Sequence, residues 1–248
     1  MLSGLLAGNC VSQHQLPYLQ NPSYSLTEPV QETNVRAVYR VQANDVLAVR
    51  VQSAQPEFNE LFNSTDTRTV MVSDPGALFL SGYSVDAEGG ISLPTVGRLT
   101  VAGLTVGQVQ ALVQKRVASF VSGANVLVKL VSFRLTVLGE VRSPGRYFVY
   151  NEQANVLEAL GLAGDLTEFG NRTNVKLIRQ TPKGSAVVLL DLTNPELLRS
   201  PYFYLLPNDA LYVEPLPARA LRGNAGNLGI VFAGISAVVL LLSYLRLN

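Results

Sequence analysis

Hydrophobic residues along this chain fall into three patterns. Short alternating runs dominate residues 36–132. Val38-Tyr39-Arg40-Val41 and Val46–Val51, where Leu47, Val49 and Val51 alternate with neighbours that include Arg50, predict two strands around an Asn44-Asp45 turn. Residues 55–81 lack a sustained period and read as a long loop. Order resumes at 82–86, and Glu88-Gly89-Gly90 predicts a hairpin turn into Ile91–Pro94 and Val96–Leu99. Thr105 is placed to cap a helix on which Val109, Leu112, Val113, Arg116, Val117 and Phe120 recur at spacings of three and four; Gly123 stops it and a strand follows at 125–131.

Residues 133–216 repeat the theme with a different order of parts. A strand at 135–141, a turn at Arg142-Ser143-Pro144-Gly145 and a returning strand at 146–150 precede a helix with Val156, Leu157, Leu160 and Ala163 on one side and Gly164 as its αL cap. Further strands are expected at 175–179, 186–192 and 210–213. A hairpin, one helix across the sheet and then more strands is the order of a β-grasp. The fold class expected is α+β, with two small mixed-sheet domains of which the second is β-grasp-like.

The third pattern is continuous. No charge occurs between Leu228 and Leu245, so residues 228–246 are expected to form one C-terminal transmembrane helix, with Tyr244 and Arg246 at the far interface. A hydrocarbon core roughly 30 Å thick takes about 20 helical residues, so the segment just reaches across. A buried core helix is the alternative, and the missing polar face argues against it. Gly229, Ala233 and Ala237, four apart, would let such helices approach closely in lipid. Ser236 and Ser243 are the only hydroxyls near that stripe, which is little for the wall of a wet pore. Residues 217–227 read as a linker, and so do residues 11–35, where Pro17, Pro22 and Pro29 stand among Gln, Asn, Ser and Thr.

Composition narrows the chemistry. The formal net charge is +1 and no basic stripe stands out, so nucleic acid is not an expected partner. His14 is the only histidine and Cys10 the only cysteine. A disulfide within the chain and a zinc site built from Cys and His are therefore excluded, and a Ser-His or Cys-His centre would have to draw on His14, in the spacer. No Walker loop or Gly-x-Ser-x-Gly elbow is present, and no cofactor or metal is expected. A polysaccharide hydrolase or lyase would need paired carboxylates such as Asp165 with Glu168 or Asp86 with Glu88, and these sit in turns beside glycines.

Residues 1–10 are mostly small and apolar and end at Cys10, like a signal remnant running into a bacterial lipobox over Leu6, Ala7 and Gly8. Asn9 stands where the lipobox has a small residue, and no Lys or Arg precedes the run. Acylation of Cys10 is expected, with an incidental thiol as the alternative; an acyl chain would add a second anchor.

Residues 82–105, with Asp86, Gly89, Ile91, Leu93-Pro94, Gly97 and Gly103-Leu104-Thr105 at set spacing, resemble the signature of the polysaccharide biosynthesis and export family, as do Tyr39–Val41 and Asn44–Leu47. The runs 137–147 and 159–167, carrying Gly139, Pro144, Gly145, Gly164 and Asp165, resemble the soluble-ligand-binding β-grasp module of the same family. By their chemistry alone these residues are turn glycines, strand apolars and caps. The resemblance implies a non-enzymatic outer-membrane component with its soluble domains in the periplasm. It also implies a homo-oligomeric ring, a polysaccharide chain as cargo, an inner-membrane polysaccharide co-polymerase or transporter as partner, and membrane lipid around the tail. A membrane-tethered glycan-binding module that forms no channel is the alternative.

Overall fold

The computed structural model describes residues 16–63, 81–181, 184–219 and, in the C-terminal segment, 233–234, 236–240 and 243–244. In the first domain, β1 (Val46–Gln52) lies between β2 (Tyr83–Ser84) and β5 (Asn125–Leu130), antiparallel to both. A separate hairpin joins β3 (Gly90–Leu93) to β4 (Gly97–Thr100). These sheets are antiparallel throughout, so the expectation of a mixed sheet does not hold here. Only β3 and β4 are joined by a tight hairpin; longer connections bring β2 and β5 to either side of β1, and both pair with it antiparallel.

Helix α2 (Val106–Val117) covers this sheet, after α1 (Pro56–Phe62) earlier in the chain. Thr105 and Gln108 form a reciprocal capping box at the start of α2: the Thr105 Oγ1 accepts from the Gln108 N–H at 3.2 Å, and Gln108 Oε1 accepts from the Thr105 N–H at 2.9 Å. Val109, Val113 and Val117, one turn apart, are fully buried against Leu47, Ile91 and Val101. The polar face of α2 has a structural use as well. Gln114 accepts from the Val126 N–H at 2.9 Å and donates to the Ala124 carbonyl at 2.7 Å, while Gln110 accepts from the Val128 N–H at 3.2 Å. Two glutamines thus occupy the outer edge of β5, which would otherwise offer unpaired backbone groups.

Two expectations are corrected in this domain. Residues 38–41 do not form a regular strand; Val41 only exchanges hydrogen bonds with Gly103 and Leu104, both 2.9 Å. The loop expected over 55–81 contains α1, whose end is fastened by amides: Asn63 pairs with both backbone groups of Val51 (3.0 and 2.9 Å), and Asn59 accepts from the Ser53 N–H at 2.6 Å. Residues 64–80 lie outside the described residues.

The second domain holds a sheet ordered β10-β9-β12-β6-β7, built from β6 (Arg134–Gly139), β7 (Gly145–Phe148), β9 (Gly170–Thr181), β10 (Gly184–Leu190) and β12 (Ala210–Pro215). Within it β12 and β6 run parallel at the centre, and every other pair is antiparallel. With α3 (Val156–Leu162) across one face, this is the arrangement expected of a β-grasp. The short strands β8 (Ala154–Asn155) and β11 (Tyr204–Leu205) pair beside it, and a 3-10 helix spans Pro195–Arg199. Strand β9 is 12 residues long, far beyond the expected 175–179, because it pairs with β10 along one side and β12 along the other.

Helix α3 is specified at both ends. Asn155 and Glu158 make a capping box, and the C-terminus is a Schellman motif: the Gly164 N–H donates to the Gly161 carbonyl at 3.0 Å and the Asp165 N–H to the Leu160 carbonyl at 2.8 Å. Gly164 has φ +75°, the αL geometry the motif requires. Val156, Ala159 and Leu160 face the core with Leu135, Val137, Leu177, Leu211 and Val213.

Each domain has its own core, and Leu130 packs against both. Residues 16–35 hold no helix or strand but are not simply extended: they bend at 16–19 and 26–28, turn at 22–23, and lie along the second domain. Leu19 and Gln20 donate backbone hydrogen bonds to the Leu192 and Thr193 carbonyls (3.0 and 2.7 Å), Glu32 pairs with Arg199 at 2.5 Å, and Asn34 donates to the Leu198 carbonyl at 2.7 Å. Among the described residues no helix is long and apolar enough to cross a membrane. Of the expected span 228–246, residues 233–234, 236–240 and 243–244 are helical, and Gly229 with the remainder lies outside the described residues. Cys10 and His14 lie outside them too.

Candidate functional site

The first motif folds into a brace around the β2–β3 turn. Asp86 Oδ1 accepts from the Gly90 N–H at 2.7 Å, its backbone N–H donates to the Gly90 carbonyl at 2.9 Å, and Gly89 (φ +81°) takes the left-handed corner. The Gly89 carbonyl then accepts from Val101 and Ala102 at 2.8 and 3.0 Å, tying the turn to the end of β4. Leu93 is buried, Pro94 follows it, and Gly97 (φ +82°) closes the β3–β4 loop. Gly103 (φ +80°) bonds to Val41, and its carbonyl accepts from Arg40 Nη1 at 2.9 Å. Arg98 lies 2.7 Å from Asp86 and 3.3 Å from Glu88, so the two carboxylates share one guanidinium.

The second motif joins the β6–β7 loop to the turn after α3. Gly139 has φ +90°, and a side chain there would collide with the Val213 carbonyl, against which the chain closes through the Glu140 N–H at 3.0 Å. Pro144 and Gly145 lead into β7. Arg142 donates from its backbone to the Asp165 carbonyl at 3.0 Å and from Nη1 to the Gly164 carbonyl at 2.5 Å; Ser143 donates to the Ala163 carbonyl at 2.9 Å. Asp165 itself has φ +69° and accepts from the Leu166 N–H at 2.7 Å and from the Tyr18 hydroxyl. Gly139, Gly164 and Asp165 are thus brought to one end of the sheet, while the first motif lies in the other domain. The stripe of Ala233 and Ala237 is described only as exposed helical positions.

Three buried acids carry connections that the sequence did not mark. Asp45 accepts from Tyr39 Oη and the Gln42 N–H at 2.7 and 2.8 Å and from Ser132 Oγ at 3.1 Å, tying the start of the first domain to its end. Burial first, and then the bond to Asp45, push the Tyr39 hydroxyl well above the usual phenol range. Asp209 receives a two-nitrogen grip from Arg179 at the first-domain end of the second sheet. Glu140 accepts from Thr167 Oγ1 at 2.8 Å and pairs with Arg219 at the opposite end. Asp45 follows Asn44 in a turn and Asp209 accepts from the nearby Leu206 N–H, but the side-chain partners of Glu140 and Asp209 lie 27 to 79 residues away in sequence.

Comparison with known proteins agrees with this two-part reading. Residues 33–131 match the family model described as polysaccharide biosynthesis/export protein, and residues 134–190 match the SLBB domain. The chain belongs to the polysaccharide biosynthesis/export family. It is 30% identical over 150 residues to the EPS I polysaccharide export outer membrane protein EpsA of Ralstonia nicotianae, covering 57% of this chain and 38% of that protein. It is 27% identical over 203 residues to the capsule polysaccharide export outer membrane protein CtrA of Neisseria meningitidis serogroup A, covering 71% of this chain and 50% of that protein. The chain thus spans half or less of the length of these relatives. In the two matched regions Gly89, Gly97, Gly103, Gly139, Gly164 and Asp165 have positive φ, while Leu93 and Gly145 lie in strands.

Between the domains lies a cleft of about 450 Å³. Its walls include Arg36–Tyr39 and Lys129 on one side and Tyr150–Gln153 and Tyr204–Pro207 on the other. Lys129 and Glu152 form an ion pair across it at 3.3 Å.

Proposed function

We infer that this protein is a non-enzymatic outer-membrane component that assembles with copies of itself into a conduit for export of capsular polysaccharide or exopolysaccharide. An inner-membrane co-polymerase or transporter would hand it the chain, and the soluble domains would lie in the periplasm. The curated relatives named above are polysaccharide export outer membrane proteins, and this supports the reading.

The observation that carries it is where the two routes toward lipid leave the second domain. On the N-terminal side Tyr18 is fastened to Asp165; on the C-terminal side Leu216 donates to the Phe169 carbonyl at 2.7 Å and Arg219 pairs with Glu140. Both fastenings involve the Glu140–Gly170 end of the sheet. The first domain joins at the other end, where β6 begins at Arg134 and β12 at Ala210. The parallel central pair makes the two ends opposite. From Tyr18 back to Cys10 is a reach of at most about 28 Å, so an acyl chain there and a helix over 228–246 would hold the same end of the same domain near the membrane. The first domain would then point toward the inner membrane. A single helix cannot pass a hydrated polymer by itself, so the reading demands a ring.

Mass measurement and electron microscopy of the detergent-extracted protein test this. A large ring recovered from the outer-membrane fraction is the expected result; a monomer, or recovery as a freely soluble species, overturns the conduit.

A further inference from the structure

The geometry points to the cleft between the domains as a binding site for a short stretch of sugar chain, with Tyr150 as its stacking platform. The inference rests on the export reading for the source of that sugar. Tyr150 is 73% exposed, and Val38 beside the cleft is 69% exposed. A large, mostly exposed ring lining a concave site is placed to stack on the apolar face of a pyranose, as aromatic rings stack on other flat apolar surfaces. The chain has no tryptophan, so tyrosine is its largest side chain for this purpose.

The polar lining matches the other half of a sugar. Asn151 and Gln153 bring amides that both donate and accept, the chemistry that pairs with hydroxyl groups, and Gln110, whose oxygen serves the Val128 N–H, adds its amide donor. The charges are largely mutual: Lys129 is paired with Glu152, and the Arg36 guanidinium lies over the Tyr204 ring at 5.0 Å. A volume of about 450 Å³ falls within the range of roughly 300–1,000 Å³ typical of small-ligand sites. Because Tyr39, Gln110 and Lys129 come from the first domain and Tyr150–Gln153 from the second, neither domain has the site alone. The Lys129–Glu152 pair joins lining residues of the two domains and both side chains are exposed, so an entering sugar would exchange that pair for hydroxyl contacts at little cost.

Titration of the full-length detergent-extracted protein with maltohexaose, a neutral probe, and hexagalacturonate, an acidic one, tests the site. Saturable binding of at least one probe is expected, weakened about fivefold or more by Tyr150→Ala. Thermal melting should not move in that variant, since the ring is exposed. The site is overturned if neither probe binds up to about 10 mM, or if Tyr150→Ala binds as the parent does. It is also overturned if that substitution leaves sugar binding intact and changes only subunit assembly, which would make the cleft a contact between copies. Surface polysaccharide in a strain deleted for this chain separates the two readings. Unimpaired export in the deletion removes the export reading whatever the titration gives, whereas impaired export with no probe binding removes only the site.

Discussion

Arg179 holds Asp209 by two nitrogens, Nε at 2.9 Å from Oδ1 and Nη2 at 2.7 Å from Oδ2. The Asp209 side chain is 1% exposed and that of Arg179 14%, and the carboxylate also accepts from the Leu206 N–H at 2.7 Å. Breaking one side of such a pair leaves a buried charge without its partner, which costs about 3–5 kcal/mol. Asp209→Ala is therefore expected to lower the unfolding free energy by that amount in urea titration. Asp209→Leu combined with Arg179→Met should recover most of the loss, because a hydrophobic pair removes both charges together.

Glycine substitutions should separate strain from collision. At Gly97 the φ is +82° and a side chain would meet nothing within 4 Å, so Gly97→Ala is expected to cost about 1 kcal/mol of backbone strain. At Gly139 the same strain is joined by a clash with the Val213 carbonyl between the two central strands. Gly139→Ala should cost about 3 kcal/mol or more, read as a shift in the urea midpoint. Equal midpoints for the two variants would mean that the β6–β12 junction relaxes around the added methyl.

The contrast between local and distant partners explains what could be read from the residues. Thr105, the Val109-Val113-Val117 stripe, and Gly164 after α3 are signals within a few positions of the elements they start, bury or stop, and those elements form there, although α2 ends at Val117 and leaves Phe120, expected on its apolar face, 52% exposed beyond it. Helix α1 escaped because its apolar period is weak and its end is held by Asn59 and Asn63 against Ser53 and Val51, an arrangement that depends on where β1 lies. Residues 16–35 carry a spacer's composition, and nothing local to them indicates that Tyr18 meets Asp165 or that Glu32 meets Arg199. The motif glycines were legible as turn residues; the cleft was not, since Tyr39 and Tyr150 approach only after both domains fold.

Two tyrosines make stability depend on alkaline pH. Burial, then the hydrogen bond to Asp165, raises the Tyr18 hydroxyl above its usual value of about 10, and burial with Asp45 does the same for Tyr39. A folded-state pKa above the unfolded one means that the folded form keeps its proton where the unfolded form releases it. The contribution is complete below pH 10 and is lost as the pH rises beyond it. Unfolding free energy from these groups should be flat between pH 7 and about 9.5 and fall above pH 10. Tyr18→Phe should flatten part of that fall, and a slope unchanged in both Tyr18→Phe and Tyr39→Phe would mean that other groups set it.

Gln110 and Gln114 supply the last prediction. Strand β5 is the outer strand of its sheet, and the Val126 and Val128 N–H groups point away from β1. The two amides, one helical turn apart on α2, reach those groups at 2.9 and 3.2 Å. Removing an acceptor from a buried donor costs about 1–3 kcal/mol, and Val126 is 1% exposed. Gln114→Ala should therefore destabilise by that amount. The double variant Gln110→Ala with Gln114→Ala should also leave β5 open to pairing with another chain, the route by which bare edges aggregate. Light scattering that rises with protein concentration in the double variant, and not in the parent, is the expected signature. Parent-like scattering with an unchanged urea midpoint would mean that water serves this edge as well as the amides do, and that α2 guards nothing.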